Sequence, residues 1–169
     1  MSNTKPVRVL GVQSALKELH KINPELRKQF TKRYKDITKP VVAQAKAAFP
    51  SDAPLSGMGR PHTRLGGWDG GLVRKGVIAR INTRKGRSQE VAVFVIQQRT
   101  GWGSIFDIAG RSNASSQFVQ NLMSKGYGGA SRAMWPAYEA NAPEVQRAVL
   151  DLVADVRDNV NKKLAANGN

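Results

Sequence analysis

Apolar side chains recur at three- and four-residue spacing at both ends of this chain, and a glycine- and proline-rich stretch lies between the two patterns. In residues 12–49 the recurring positions are Leu16, Leu19, Leu26, Phe30, Tyr34, Ile37, Val41, Ala45 and Ala48, with one seven-residue step at Asn23. That is the period of a helix with one buried face. Asn23 and Pro24 fit a restart, the asparagine as cap and the proline in the first turn. Pro40 falls inside the pattern and removes one backbone bond; because the stripe continues past it, a kink is expected rather than a stop. Residues 137–164 carry a second stripe: Tyr138, Val145, Val149, Leu152, Val156, Val160 and Leu164. Pro143 and Glu144 are expected in the first turn of its main segment, with Trp135 and Tyr138 covering one end of the core. Asp151, Asp155 and Asp158 lie off much of that stripe and can meet basic residues of the first helix, for a small gain.

Between the helices the pattern changes twice. Residues 50–71 hold six glycines and three prolines, and no helix or strand period survives there. Residues 50–76 are therefore expected to form a long extended loop, functional or mobile. Trp68 stands between two glycine pairs, either as an anchor for a neighbouring subunit or folded back on its own domain. Residues 77–81 and 90–96 read as strands of an antiparallel hairpin, the second rich in β-branched residues. The tip between them carries Arg84, Lys85 and Arg87, a phosphate contact or simply a solubilised turn. Residues 106–109 are expected to add a third short strand after a tight turn at Gly101-Trp102-Gly103, and Phe118 and Leu122 a brief helical turn ending near Gly126. The expected fold class is α+β. Long N-terminal and C-terminal amphipathic helices pack on a small antiparallel sheet within residues 77–109, all in a single domain (1–169) with an N-terminal arm over 1–11.

Charge is the second constraint. The chain has 169 residues and a formal net charge of +15, with no cysteine. Residues 1–50 contribute +8, residues 51–100 +6 and residues 101–169 only +1. A basic half beside a neutral half produces an oriented field, facing nucleic acid, an anionic surface, an acidic partner or plain solvent. On the first helix the polar face carries Arg27, Lys28, Lys32, Arg33, Lys35, Lys39 and Lys46. It can lie along phosphates, lie on a membrane surface or merely be solvated. The membrane reading is weakest, since the apolar face has no tryptophan and tapers into alanines. Residues 1–11 hold only a short apolar patch, so no signal peptide is expected, and the default is a cytoplasmic protein.

The catalytic inventory is thin. No cysteine means no disulfide framework, thiol nucleophile or cysteine-ligated metal. The only histidines are His20 and His62, and neither has a carboxylate at metal-ligand spacing. Gly57-Met58-Gly59 lacks the third glycine of a dinucleotide fingerprint, and there is no GxxxxGK[ST], HExxH or GxSxG. A nuclease or phosphatase centred on Asp69, His62 and Arg64 is the enzymatic rival, without an assignable nucleophile or base. The expectation is no enzyme, no metal and no cofactor. A free nucleic-acid-binding protein is the rival that uses the same charge, but helix-turn-helix spacing, finger ligands and a ribonucleoprotein aromatic pair are all missing.

The run LKELHKINPELRKQFTKRYKDITKPVVAQAKAAFP resembles the opening of the tail-component family typified by gene product ten of phage HK97. Lys39-Pro40-Val41-Val42 at the helix end, the proline-glycine span through Pro50, Pro54 and Gly57, and the segments FDIAG at 106–110 and ASRAMWP at 130–136 are similar to members from phages of actinobacteria, as is the closing helix. The resemblance covers nearly the whole chain.

The resemblance implies a structural subunit of the neck of a long-tailed phage, a tail-completion protein in a ring around the DNA channel. A tail terminator or minor tail protein is the near alternative. It implies a virion location, with assembly in the bacterial host cytoplasm. Six-fold symmetry is the family-level expectation and twelve-fold matching to the portal the other. The implied neighbours are the head-side stopper or adaptor, the tail terminator and the tail-tube proteins, with no membrane. Genomic DNA passing the neck gives the basic half a use. Arg27, Lys28, Lys32, Arg33, Lys35, Arg84, Lys85 and Arg87 are the candidate contacts to DNA, sparse and blind to sequence. Ring closure needs a heterologous interface, for which Trp68, Leu65, Met58 and Trp102 are the candidate intersubunit contacts.

Overall fold

The computed structural model describes residues 24–61, 64–81 and 94–167. The expected arm, the first part of the helix up to residue 23, both histidines and the turn bearing Arg84, Lys85 and Arg87 lie outside them. Helices α1 (Pro24–Ala48), α2 (Ser56–Gly59) and α3 (Gly70–Lys75) come first. Strands β1 (Val77–Ile81) and β2 (Phe94–Gln98) follow, then α4 (Gly101–Ile108), α5 (Gln117–Ser124) and α6 (Met134–Asn167). The strands pair antiparallel in a two-stranded sheet, and Arg99 N donates to Gly76 O at 3.0 Å just beyond both ends. The class is α+β, with helices packed against a small sheet.

Contacts divide the chain into two units. Among the described residues, the first takes 24–38, 80–81, 94–95 and 142–167, and the second takes 39–61, 64–79 and 96–141. Each long helix and each strand contributes to both.

The buried stripe of α1 follows the expected period with two substitutions. Phe30, Tyr34, Thr38, Val41, Ala45 and Phe49 are buried, so Thr38 replaces Ile37 and Phe49 replaces Ala48. Thr38 is tolerated because its hydroxyl donates to Tyr34 O at 2.9 Å, leaving no unmet bond on the apolar face. In the first unit, the rings of Phe30 and Tyr34 meet Phe94 of β2 at centroid distances of 5.9 and 4.9 Å. From α6, Val145 and Leu152 are buried. Arg33 Nη2 meets Asp155 Oδ2 at 2.7 Å, the expected cross-helix pair. Both prolines, Pro40 and Pro143, lie inside helices at exposed positions. The bond each removes falls on a water-facing side, which is why the helices run through them.

Four expectations are corrected in the second unit. The glycine-rich span is not an extended loop, because α2 and α3 lie within it. Asp69 caps α3, its carboxylate accepting from Leu72 N at 2.9 Å. Gly67 and Gly70 serve close approach: a Cβ on Gly67 would lie 2.8 Å from Gly59 O, and one on Gly70 would collide with Ser51 O. Residues 106–109 are not a strand. Residues 106–108 close α4 and Ala109 is its C-cap, while at the other end Thr100 is the N-cap, its hydroxyl accepting from Gly103 N at 3.2 Å. Gly103, Phe106 and Asp107 are buried at helical spacing. The closing helix starts at Met134 rather than 137, with Pro136 in its first turn, and Pro143 lies inside it rather than in the first turn of its main segment. Trp135 does not cover the core; it is exposed, stacked at 5.4 Å on Tyr138.

The core of this unit is built around Phe106, which is 1% exposed. Phe49, Trp68 and Tyr127 surround its ring at centroid distances of 5.8, 5.8 and 5.2 Å. Arg74 ties the end of α1 to α3, its Nε donating to Phe49 O at 3.0 Å and Nη2 to Ser51 Oγ at 2.7 Å. Gln98 at the end of β2 donates to Val73 O at 2.9 Å and accepts from Thr100 N at 2.8 Å, joining the strand to α3 and to the cap of α4.

Candidate functional site

The basic residues of α1 resolve into a row and an outlier. Lys28, Lys32, Lys35 and Lys39 are all exposed. Their spacing of four, three and four residues places them within a narrow strip of helix surface. The strip is about 17 Å long at about 1.5 Å per residue. The row lies on the far side of the helix from Phe30, Tyr34 and Val41, because burying one face leaves the other to solvent. Lys46, half-buried, continues it toward the helix C-terminus, where positive charge is favoured. Lys28 Nζ also meets Glu25 at 3.4 Å, an exposed pair of little energetic weight.

Arg33 leaves the row. It lies on another face and spends its charge on Asp155. Of the eight candidate DNA contacts, Lys28, Lys32 and Lys35 are therefore brought together. Arg33 is engaged elsewhere. The Arg27 side chain and the Arg84, Lys85 and Arg87 turn lie outside the described residues. Lys39 completes the row, and its spacing was legible in the sequence.

The candidate intersubunit residues are turned toward their own chain. Met58 is 1% exposed and has no surface to offer a neighbour. Trp68 folds back: its ring meets Phe106 edge-on, and its backbone N–H donates to Met58 O at 2.7 Å. Trp102 Nε1 donates to Gly66 O at 2.9 Å. Leu65 is half-buried with its side chain against Gly101. All four serve to pack the second unit.

A polar cluster that sequence reasoning missed lies beside Phe106. Asp107 is 7% exposed, and its Oδ1 accepts from Ala133 N at 2.7 Å and Met134 N at 3.1 Å. It thus caps α6 from another helix. Arg132 Nη1 donates to Phe106 O at 2.7 Å and Ala109 O at 2.8 Å, satisfying carbonyls at the end of α4. Its guanidinium carbon lies 5.7 Å from the centre of the Phe106 ring. Burial pulls the Arg132 pKa below the ordinary arginine range, and the charge of Asp107 works the other way. The only local signal was a lone arginine and a lone aspartate in apolar surroundings.

Among the described residues no group of three or more histidine, cysteine, aspartate or glutamate side chains is placed to hold a metal ion. Nor is any helix among them long and apolar enough to cross a membrane. Comparison with protein-family models, with curated proteins and with solved structures finds no match.

Proposed function

We propose that this chain is a non-catalytic structural subunit of the head-to-tail connector of a long-tailed phage, a tail-completion protein that assembles as a ring around the DNA channel. One observation carries the reading: the row of Lys28, Lys32, Lys35 and Lys39 along an exposed helix face. A line of flexible ammonium groups suits a polyanion that must slide past. Each lysine neutralises a phosphate without fixing a base, and no planar fork holds the backbone in one register. The family resemblance of the sequence supplies the setting in which such a polyanion is double-stranded DNA. The neighbours in that setting are stopper or adaptor, terminator and tube proteins.

The test is a reconstruction of the phage particle with this chain located in it. The reading requires a closed ring at the neck with the lysine row turned to the channel. A chain missing from the particle, or a row turned to the outer surface, overturns it. A solution experiment separates the neck subunit from a free nucleic-acid-binding protein. Duplex binding by the full chain should be weak at physiological salt. Its salt slope, log K against log salt, should flatten by about 0.9 for each row lysine changed to glutamine. Sub-micromolar affinity at physiological salt would favour the free DNA-binding protein instead.

A further inference from the structure

Arg132 uses only one of its three guanidinium nitrogens. Nη1 is committed to the carbonyls of Phe106 and Ala109, at 2.7 and 2.8 Å. Nε and Nη2 are enclosed and have no hydrogen-bond partner among the described residues. These two nitrogens form one edge of the guanidinium, the fork that grips a carboxylate or phosphate through two parallel bonds. Trp68 Nε1 is a third enclosed donor nitrogen without a partner among the described residues. The two side chains lie against the same ring, the guanidinium carbon 5.7 Å and the indole centroid 5.8 Å from the centre of Phe106.

Asp107 does not complete the set. Its Oδ1 is taken by Ala133 N and Met134 N, and it acts on Arg132 through its charge alone. Three donor nitrogens with no acceptor among the described residues, one pair of them on a cationic fork, are a costly arrangement to bury unless something accepts from them.

We propose that Arg132 and Trp68 form a receiving site for a carboxylate, its two oxygens on the Nε/Nη2 edge and the indole N–H as a further donor. A carboxylate fits better than a phosphate. Asp107 already offsets the guanidinium charge, so a monoanion leaves the cluster with one excess negative charge, whereas a dianion would leave two in an enclosed place. The carboxylate comes either from a free small acid or from an acidic side chain of a second copy of this chain. Because the donor atoms are closed to solvent, entry requires local opening, and exchange is slow. This inference does not depend on the phage reading.

The test uses the full chain labelled with 15N. The Arg132 Nε–H resonance is assigned by its loss in Arg132→Lys, and the Trp68 indole N–H by its loss in Trp68→Phe. Sodium acetate is titrated against sodium chloride at matched ionic strength. Acetate should replace both resonances by new, saturating positions in slow exchange, while chloride leaves them in place. Acetate should also raise the melting temperature of the wild-type chain more than that of either variant. Trp68→Phe keeps the ring stack on Phe106, so it carries the comparison even if Arg132→Lys fails to fold. Concentrating the protein without acetate separates the sources. If both resonances move as sedimentation shows self-association, the carboxylate belongs to a second copy; if only acetate moves them, it is a free acid. Resonances that respond neither to acetate nor to protein concentration overturn the proposal.

Discussion

Replacing Asp107 tests whether one carboxylate holds the start of the longest helix. Oδ1 accepts from Ala133 N and Met134 N at 2.7 and 3.1 Å, and Ala133 is 0% exposed. In Asp107→Ala the lost cap costs about 0.5–2 kcal/mol. The Ala133 N–H then has no water to turn to, which adds about 1–3 kcal/mol. The expected total is near the middle of those ranges, about 3 kcal/mol. Asp107→Asn keeps an acceptor oxygen at the same place. It loses the negative charge that favours a helix N-terminus and faces Arg132, a change of about 1 kcal/mol. Urea unfolding followed by far-ultraviolet circular dichroism reads the difference. At an m-value of about 2 kcal/mol/M, the midpoint should fall by about 1.5 M for alanine and about 0.5 M for asparagine. Equal shifts would show that charge, not the accepting oxygen, is what matters. An alanine shift below about 0.25 M would refute the cap altogether.

Three further outcomes follow from the packing. Tyr34 is 2% exposed, and burial pushes its phenol well above its ordinary pKa of 10.0. The native state therefore keeps a proton that the unfolded chain releases. Its stabilising contribution is complete below pH 10 and declines above it by up to about 1.4 kcal/mol per pH unit; Tyr34→Phe should flatten that part of the stability–pH curve in equilibrium denaturation. Phe106→Ala removes the ring at the centre of the second unit and should cost about 3–5 kcal/mol, read as a fall in urea midpoint. Arg33→Ala breaks a pair whose side chains are 55% and 51% exposed, and should change stability by less than about 1 kcal/mol in the same assay.

The two long helices, the α+β class, the strand at 77–81 and a basic polar face on the first helix are legible in the residue pattern. Periodicity carries that information: Phe30, Tyr34, Val41 and Ala45 on one side and Lys28, Lys32, Lys35 and Lys39 on another are local facts of a 3.6-residue repeat. Even the prolines at 40 and 143 leave it intact, since both fall on exposed positions.

The remaining features depend on partners that are distant in the chain. Residues 106–109 are too short an apolar run to tell strand from helix; the cap at Thr100 and the rings of Phe49, Trp68 and Tyr127 around Phe106 settle it. The first turn of α6, ahead of residue 137, was missed because its cap, Asp107, comes from α4 and leaves no trace in the neighbouring sequence. Gly67 and Gly70 read as looseness, yet they mark places where backbone meets backbone too closely for a Cβ. Glycine permits both, and only the fold chooses between them. Arg132 was invisible for a related reason: residue type gives a side chain its donors, but only burial decides which of them find an acceptor.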